Sequence, residues 1–164
     1  MVQPNTEKIG YRFYSCRIFS NYPTWIVTWS TTKGDNKKLA IFERKVLRKI
    51  FGPEYNLDLW TFERRKNENL YQLYGKPTIL TFIRTKKMEW FGQIWRAEDD
   101  ILKKVITAMI QKKRPLGRPR TRWKYAVKRG IQLVDVNASI ELALNRERWR
   151  DLLGAAQALE GALS

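Results

Sequence analysis

Apolar residues recur at helical spacing along most of this chain. From Asn36 to Phe51, the residues Leu39, Phe42, Val46, Leu47 and Ile50 fall on one face, and Glu43, Arg44, Lys45, Arg48 and Lys49 mostly line the other. Asp35 is the expected cap, because its carboxylate accepts from first-turn amides, and Gly52-Pro53 is the expected stop. Glu54–Lys66 shows no period and reads as a loop. A short helix, Asn67–Tyr74, turns Leu70, Leu73 and Tyr74 inward and closes at Gly75-Lys76-Pro77. Thr78 then caps a longer helix to about Arg96, with Ile79, Leu80, Phe82, Ile83, Trp90, Phe91 and Ile94 on a wide apolar face. Gly92, between Trp90 and Trp95, offers a bare backbone that another element could approach closely, and both tryptophans are expected in the core.

The second half is more broken. Lys104–Ile110 fits either a strand or a helix continuation. Pro115, Gly117 and Pro119 keep Pro115–Arg120 extended or turned. Thr121 caps a helix to about Arg129, with Trp123, Ala126 and Val127 inward and Gly130 as a left-handed stop. Asn137 starts a short helix to about Leu144. Asn145 caps a last one, on which Trp149, Leu152, Leu153, Ala156 and Leu159 share a face. In Met1–Val27 the pattern supports an arm with one short strand near Ile26. The expected fold is mainly α: several short amphipathic helices joined by a basic Pro/Gly ribbon, with at most one or two short strands. The expected division is an N-terminal arm (1–23), a helical segment (24–100), a basic linker (101–120) and a small C-terminal helical unit (121–164).

Composition changes this picture mainly through charge. The 164 residues carry 32 Lys and Arg against 16 Asp and Glu, a net charge of +16. Every charged residue between Ile101 and Gly130 is a cation, whereas beyond Gly130 acids outnumber bases. Such a field points to an anionic partner: nucleic acid, an acidic protein or an anionic membrane surface. Cys16 is the single cysteine and histidine is missing, so a Cys/His zinc site, an internal disulfide and a histidine base are all excluded. No apolar run reaches the roughly 18 residues of a spanning helix, and Gln3–Gly10 is too polar for a signal peptide. An intracellular location is therefore expected. Glu98-Asp99-Asp100 follows a helix end without the apolar lead-in of a two-metal turn, and reads as a helix-terminating loop.

The ribbon is the candidate site: Lys112, Lys113, Arg114, Arg118, Arg120 and Arg122 as phosphate contacts, with Trp123 available to stack or to pack. Six such contacts give a salt slope of about −5 on duplex DNA. Gly117-Arg118-Pro119-Arg120 resembles a minor-groove hook, although Leu116 stands where a hook carries a cation. Lys112-Lys113-Arg114-Pro115 also matches a nuclear localisation pattern. The alternative is a solvated linker, with Trp123 as a core anchor for the last helices.

Several blocks together resemble one family. These are Lys37–Pro53, Asn67–Tyr74, Trp90-Phe91-Gly92-Gln93-Ile94-Trp95-Arg96, Gly117-Arg118-Pro119-Arg120-Thr121-Arg122-Trp123 and Arg146-Glu147-Arg148-Trp149-Arg150. Their order and spacing are similar to the segment following the polymerase core of LINE-type (non-LTR) retrotransposon reverse transcriptases, over roughly three quarters of the chain. The resemblance implies a thumb-side tail of an enzyme with endonuclease and RNA-directed DNA polymerase activities, whose aromatic-Ala-Asp-Asp palm turn lies upstream of Thr24 and is absent here. Gln93 stands where that family commonly has histidine, and residues 1–23 do not match it. The expectation is a non-catalytic, nuclear fragment that binds RNA or DNA backbone, without a cofactor, small-molecule substrate or membrane partner. A retroelement relic without activity and a helical protein-interaction module are the alternatives.

Overall fold

A computed structural model describes residues 31–98, 100–108 and 123–158. The element order is α1 (Lys33–Phe51), β1 (Glu54–Asn56), β2 (Thr61–Glu63), α2 (Asn67–Tyr74), α3 (Ile79–Arg96), α4 (Asp100–Thr107), α5 (Trp123–Val134), a 3-10 turn (Ile140–Leu144) and α6 (Arg146–Ala158). The protein is mainly α, with one small antiparallel sheet among the described residues. Among the described residues, no helix is long and apolar enough to cross a membrane. The strand expected near Ile26 lies outside the described residues.

Helix α1 begins three residues earlier than the pattern suggests. Thr32, not Asp35, is the N-cap: its hydroxyl accepts from the Asp35 N–H at 3.2 Å, while the Asp35 carboxylate accepts from the Thr32 N–H at 2.9 Å. This reciprocal capping box satisfies two amides that a single cap leaves open. Gly52, at φ 67°, ends the helix as expected.

The inward face of α1 is rotated from the expected one. Leu47 and Phe51 are buried, Phe42 is half exposed, and Glu43 is fully buried. The i+4 row Leu39-Glu43-Leu47-Phe51 is the true inner stripe, because residues four apart stack on one side of a helix. Leu47 and Phe51 meet Leu70 and Tyr74 of α2. Leu73, expected inward, is exposed. Gly75 closes α2 in the left-handed region, where the missing Cβ removes the steric cost.

Helix α3 is the central element. One side of it, Ile79 and Ile83, packs against Leu39 of α1. The other, Met88 and Phe91, joins Val127 and Ile131 of α5, Ala143 of the 3-10 turn, and Trp149, Leu152 and Ala156 of α6. Thr78 caps it by accepting from the Thr81 N–H. At its far end the Arg96 guanidinium donates to the Ala143 carbonyl at 2.7 Å, tying the 3-10 turn down. Asn145 caps α6 by accepting from the Glu147 and Arg148 amides, each at 3.1 Å.

Gly92 and Trp149 make the closest approach between α3 and α6. A Cβ built on Gly92 would stand closer to the Trp149 Nε1 than any non-bonded pair of atoms tolerates. The glycine is therefore a seat for the indole, as the pattern around Trp90 and Trp95 suggests. Trp95 stacks on Phe91 with centroids 5.2 Å apart.

Gly130 does not stop α5. The helix runs on to Val134, and Gly130 is buried inside it, facing Arg84 and Met88 of α3. Its missing side chain serves close packing instead of a left-handed turn. Lys104–Thr107 belongs to helix α4, which settles the strand-or-helix alternative over those residues.

Candidate nucleic-acid interface

The ribbon residues Lys112, Lys113, Arg114, Arg118, Arg120 and Arg122 lie outside the described residues. Trp123, the last residue of that set, opens α5 half-buried. Its ring meets Trp90 edge-on at 5.1 Å and Phe91 at 6.1 Å. The aromatic cluster thus anchors the helix that follows the ribbon.

A second basic surface is built by residues that the sequence pattern assigned to a solvated helix face and a loop. Arg44 and Arg48, one turn apart on α1, face Arg64, Arg65 and Lys66, the run that joins β2 to α2. With Asn67 and Glu68 they line an open groove of about 570 Å³. Five cations against one acid give it a strongly positive lining.

The groove is held by a few fixed contacts. The Arg48 Nη2 donates to the Asn67 Oδ1 at 2.5 Å. Arg65 donates to the Pro53 carbonyl at 3.4 Å and lies 3.9 Å from the Glu54 carboxylate. The Nε–H groups of Arg48 and Arg65 are shielded from water and have no hydrogen-bond partner among the described residues. Desolvation, followed by repulsion from Arg64 and Arg44, lowers the Arg48 pKa below the ordinary arginine value. Like charges held together in this way gain from an anion that would neutralise them. Lys66 occupies the N-cap position of α2 without a side-chain cap, so the positive end of that helix dipole also faces this region.

Next to the groove stands the hairpin β1–β2, in the stretch read as a loop. Its register pairs Glu54 with Glu63, Tyr55 with Phe62, and Asn56 with Thr61. Strands of three residues and a Leu57–Trp60 turn without glycine or proline leave little trace in a sequence. The hairpin's amphipathicity is inverted. On β1 the polar side turns inward: Glu54 and Asn56 are half-buried, and the Asn69 amide donates to the Glu54 carboxylate at 3.1 Å, across to α2, whereas β2 is exposed throughout. The hairpin's aromatic face turns to water, with Tyr55 and Phe62 in an edge-on pair at 5.0 Å. Leu57, Leu59, Trp60 and Phe62 are 60–78 % exposed.

No protein-family model, no curated protein and no solved structure matches the chain.

Proposed function

We propose that this chain is a non-catalytic nucleic-acid-binding fragment, derived from the tail of a LINE-type reverse transcriptase, that contacts RNA or DNA backbone through basic surfaces. The observation that carries the binding reading is the convergence of Arg44, Arg48, Arg64, Arg65 and Lys66 on one groove. Arginine forks match phosphate oxygens, and a concave lining brings several to one backbone. The ribbon, Lys112–Arg122, is the second surface in this reading and carries six cations and no acid. The derivation rests on the five similar blocks. It is supported by the meeting of two of them, Trp90–Arg96 and Arg146–Arg150, at the Gly92–Trp149 contact.

Salt titration with duplex and single-stranded oligonucleotides tests the reading. Binding should weaken steeply with salt, as expected for several phosphate contacts. Reversing Arg118, Arg120 and Arg122 together, or Arg44 and Arg64 together, should cut affinity at least ten-fold. Reversing the exposed Lys37, Lys38 and Lys45, which lie off the groove, should do much less. Equal losses would mean diffuse charge, and no affinity at low salt would end the proposal. Primer extension with Mg²⁺ should give no product.

The exposed apolar hairpin favours a second reading, a helical protein-interaction module. Its mark would be folding with no preference for nucleic acid over heparin.

A further inference from the structure

The inverted hairpin is the feature that backbone binding does not use. An isolated two-stranded hairpin has little stability of its own, and exposing aromatic side chains forfeits the burial that would help it. Trp60 adds a local cost. It has φ 53°, in the left-handed region that bulky side chains rarely occupy, at the last position of the turn. Glycine or asparagine there would relieve it. The chain instead places an indole at that point and leaves it 78 % exposed.

The position of the hairpin decides what the aromatics face. Arg65, from the groove, grips the hairpin base through the Pro53 carbonyl and sits beside Glu54. Strand β2 leads directly into Arg64. At about 3.3 Å per residue, Phe62 and Trp60 stand roughly 7 and 13 Å along the chain from the first of these cations. Two exposed rings therefore lie on the segment that leads into the positive groove. A strand whose phosphates follow the groove toward the hairpin would bring its bases within reach of these rings. A duplex buries its base faces in its own stack, so the rings offer it nothing. Unpaired bases expose π-faces that stack on aromatic side chains, while cations track the backbone.

We propose that the hairpin and the groove form one binding site for single-stranded nucleic acid, with Trp60 and Phe62 stacking on unpaired bases and Arg44, Arg48 and Arg64 contacting the phosphates between them. This rests on the nucleic-acid reading above and adds the strandedness of the ligand. Glu54 beside Arg65, Asp58 in the turn, Glu63 and Glu68 are acids on or beside this path, and they limit its affinity for a bare polyanion. Stacking makes up the difference.

The test uses the full chain with a labelled unstructured 12-nucleotide strand, as RNA and as DNA, and the matching duplex. The wild type should prefer the single strand over the duplex at equal salt. The double variant Trp60→Ala/Phe62→Ala should weaken single-strand binding about ten-fold or more and leave duplex binding within two-fold. Trp60→Phe should retain most single-strand affinity but lose the part of the ligand-induced tryptophan quenching that the wild type shows. Both positions are exposed, so an unchanged circular-dichroism melt should accompany each variant. Four results would overturn the proposal: equal losses on both ligands, no loss on either, quenching unchanged in Trp60→Phe, or a concentration-dependent dimer that Trp60→Ala abolishes. A wild type that binds neither ligand would instead sink the broader nucleic-acid reading. Retained binding with no hairpin dependence rejects only the stacking site.

Discussion

The carboxylate of Glu43 is fully buried in α1 and accepts a hydrogen bond from the backbone N–H of Ile79, the first residue of α3, at 2.8 Å. One acidic side chain thus caps a helix that starts 36 residues later in the chain. Together with the Thr78 hydroxyl on the Thr81 amide, it satisfies two of the amides that a helix start leaves open.

Glu43→Ala should therefore lower stability by about 2–3 kcal/mol, combining a lost buried hydrogen bond with an uncapped buried amide. Glu43→Gln keeps an acceptor and should cost about half of that. Urea unfolding followed by circular dichroism distinguishes the two. Equal and negligible effects would show that the contact contributes nothing.

Two helical glycines should respond with opposite signs to the same change. Gly154 lies in α6 with open space around its missing Cβ, so Gly154→Ala should raise stability by about 0.8–1 kcal/mol through helix propensity. Gly92→Ala drives a methyl into the Trp149 indole and should lose about 1–3 kcal/mol despite the same gain in propensity. The buried indole N–H has no partner among the described residues, so Trp149→Phe opens space beside Gly92 without breaking a hydrogen bond. The double variant Gly92→Ala/Trp149→Phe should then be more stable than the sum of its parts predicts, as thermal melts of the four-member cycle would report.

Lys87 is buried in α3, with its ammonium 3.5 Å from the Thr31 hydroxyl, and burial lowers its pKa from the ordinary 10.5. The unfolded chain binds this proton more readily than the folded one in the window just below 10.5, so the contribution of Lys87 makes stability rise with pH there. Below that window both states are charged and the desolvation cost is carried in full. Lys87→Met should raise the urea midpoint below the window and flatten the rise within it relative to the wild type. A steeper rise in the variant would contradict this assignment.

Arg64 is exposed and adds repulsion at Arg48. Arg64→Gln should leave stability within about 0.5 kcal/mol of the wild type, or slightly above it. It should also reduce the salt slope of single-strand binding by about 0.7, the share of one phosphate contact. Paired denaturation and binding titrations would show whether stability and affinity separate at this residue.

Helices were the legible part of this molecule because their signals are local. Gly52 and Gly75 end α1 and α2, and Thr78 and Asn145 open α3 and α6, through bonds and turns within a few residues of each position. Gly130 shows the limit of that rule. A glycine after an apolar run suggests a stop, yet here it is the space it leaves for Met88 and Arg84 that matters. The i+4 row through Glu43 was present in the sequence, but its charge argued for water until Ile79 supplied the amide that makes burial tolerable.

The candidate interface divides along the same line. The charge of the Lys112–Arg122 ribbon and the run Arg64-Arg65-Lys66 can be read directly from the chain. That Arg44 and Arg48 stand opposite that run depends on how α1 packs against α2, and such packing joins residues some twenty positions apart. The hairpin is likewise a tertiary result: period-two alternation tells which residues share a face, but only packing on α2, with the bond from Asn69 to Glu54, turns the polar side of β1 inward. The sequence alone therefore determined the mainly helical fold, its local caps and its charge, since these arise within a few turns of chain. Which faces meet, and hence where cations and aromatic rings converge, was decided by packing between segments distant in sequence.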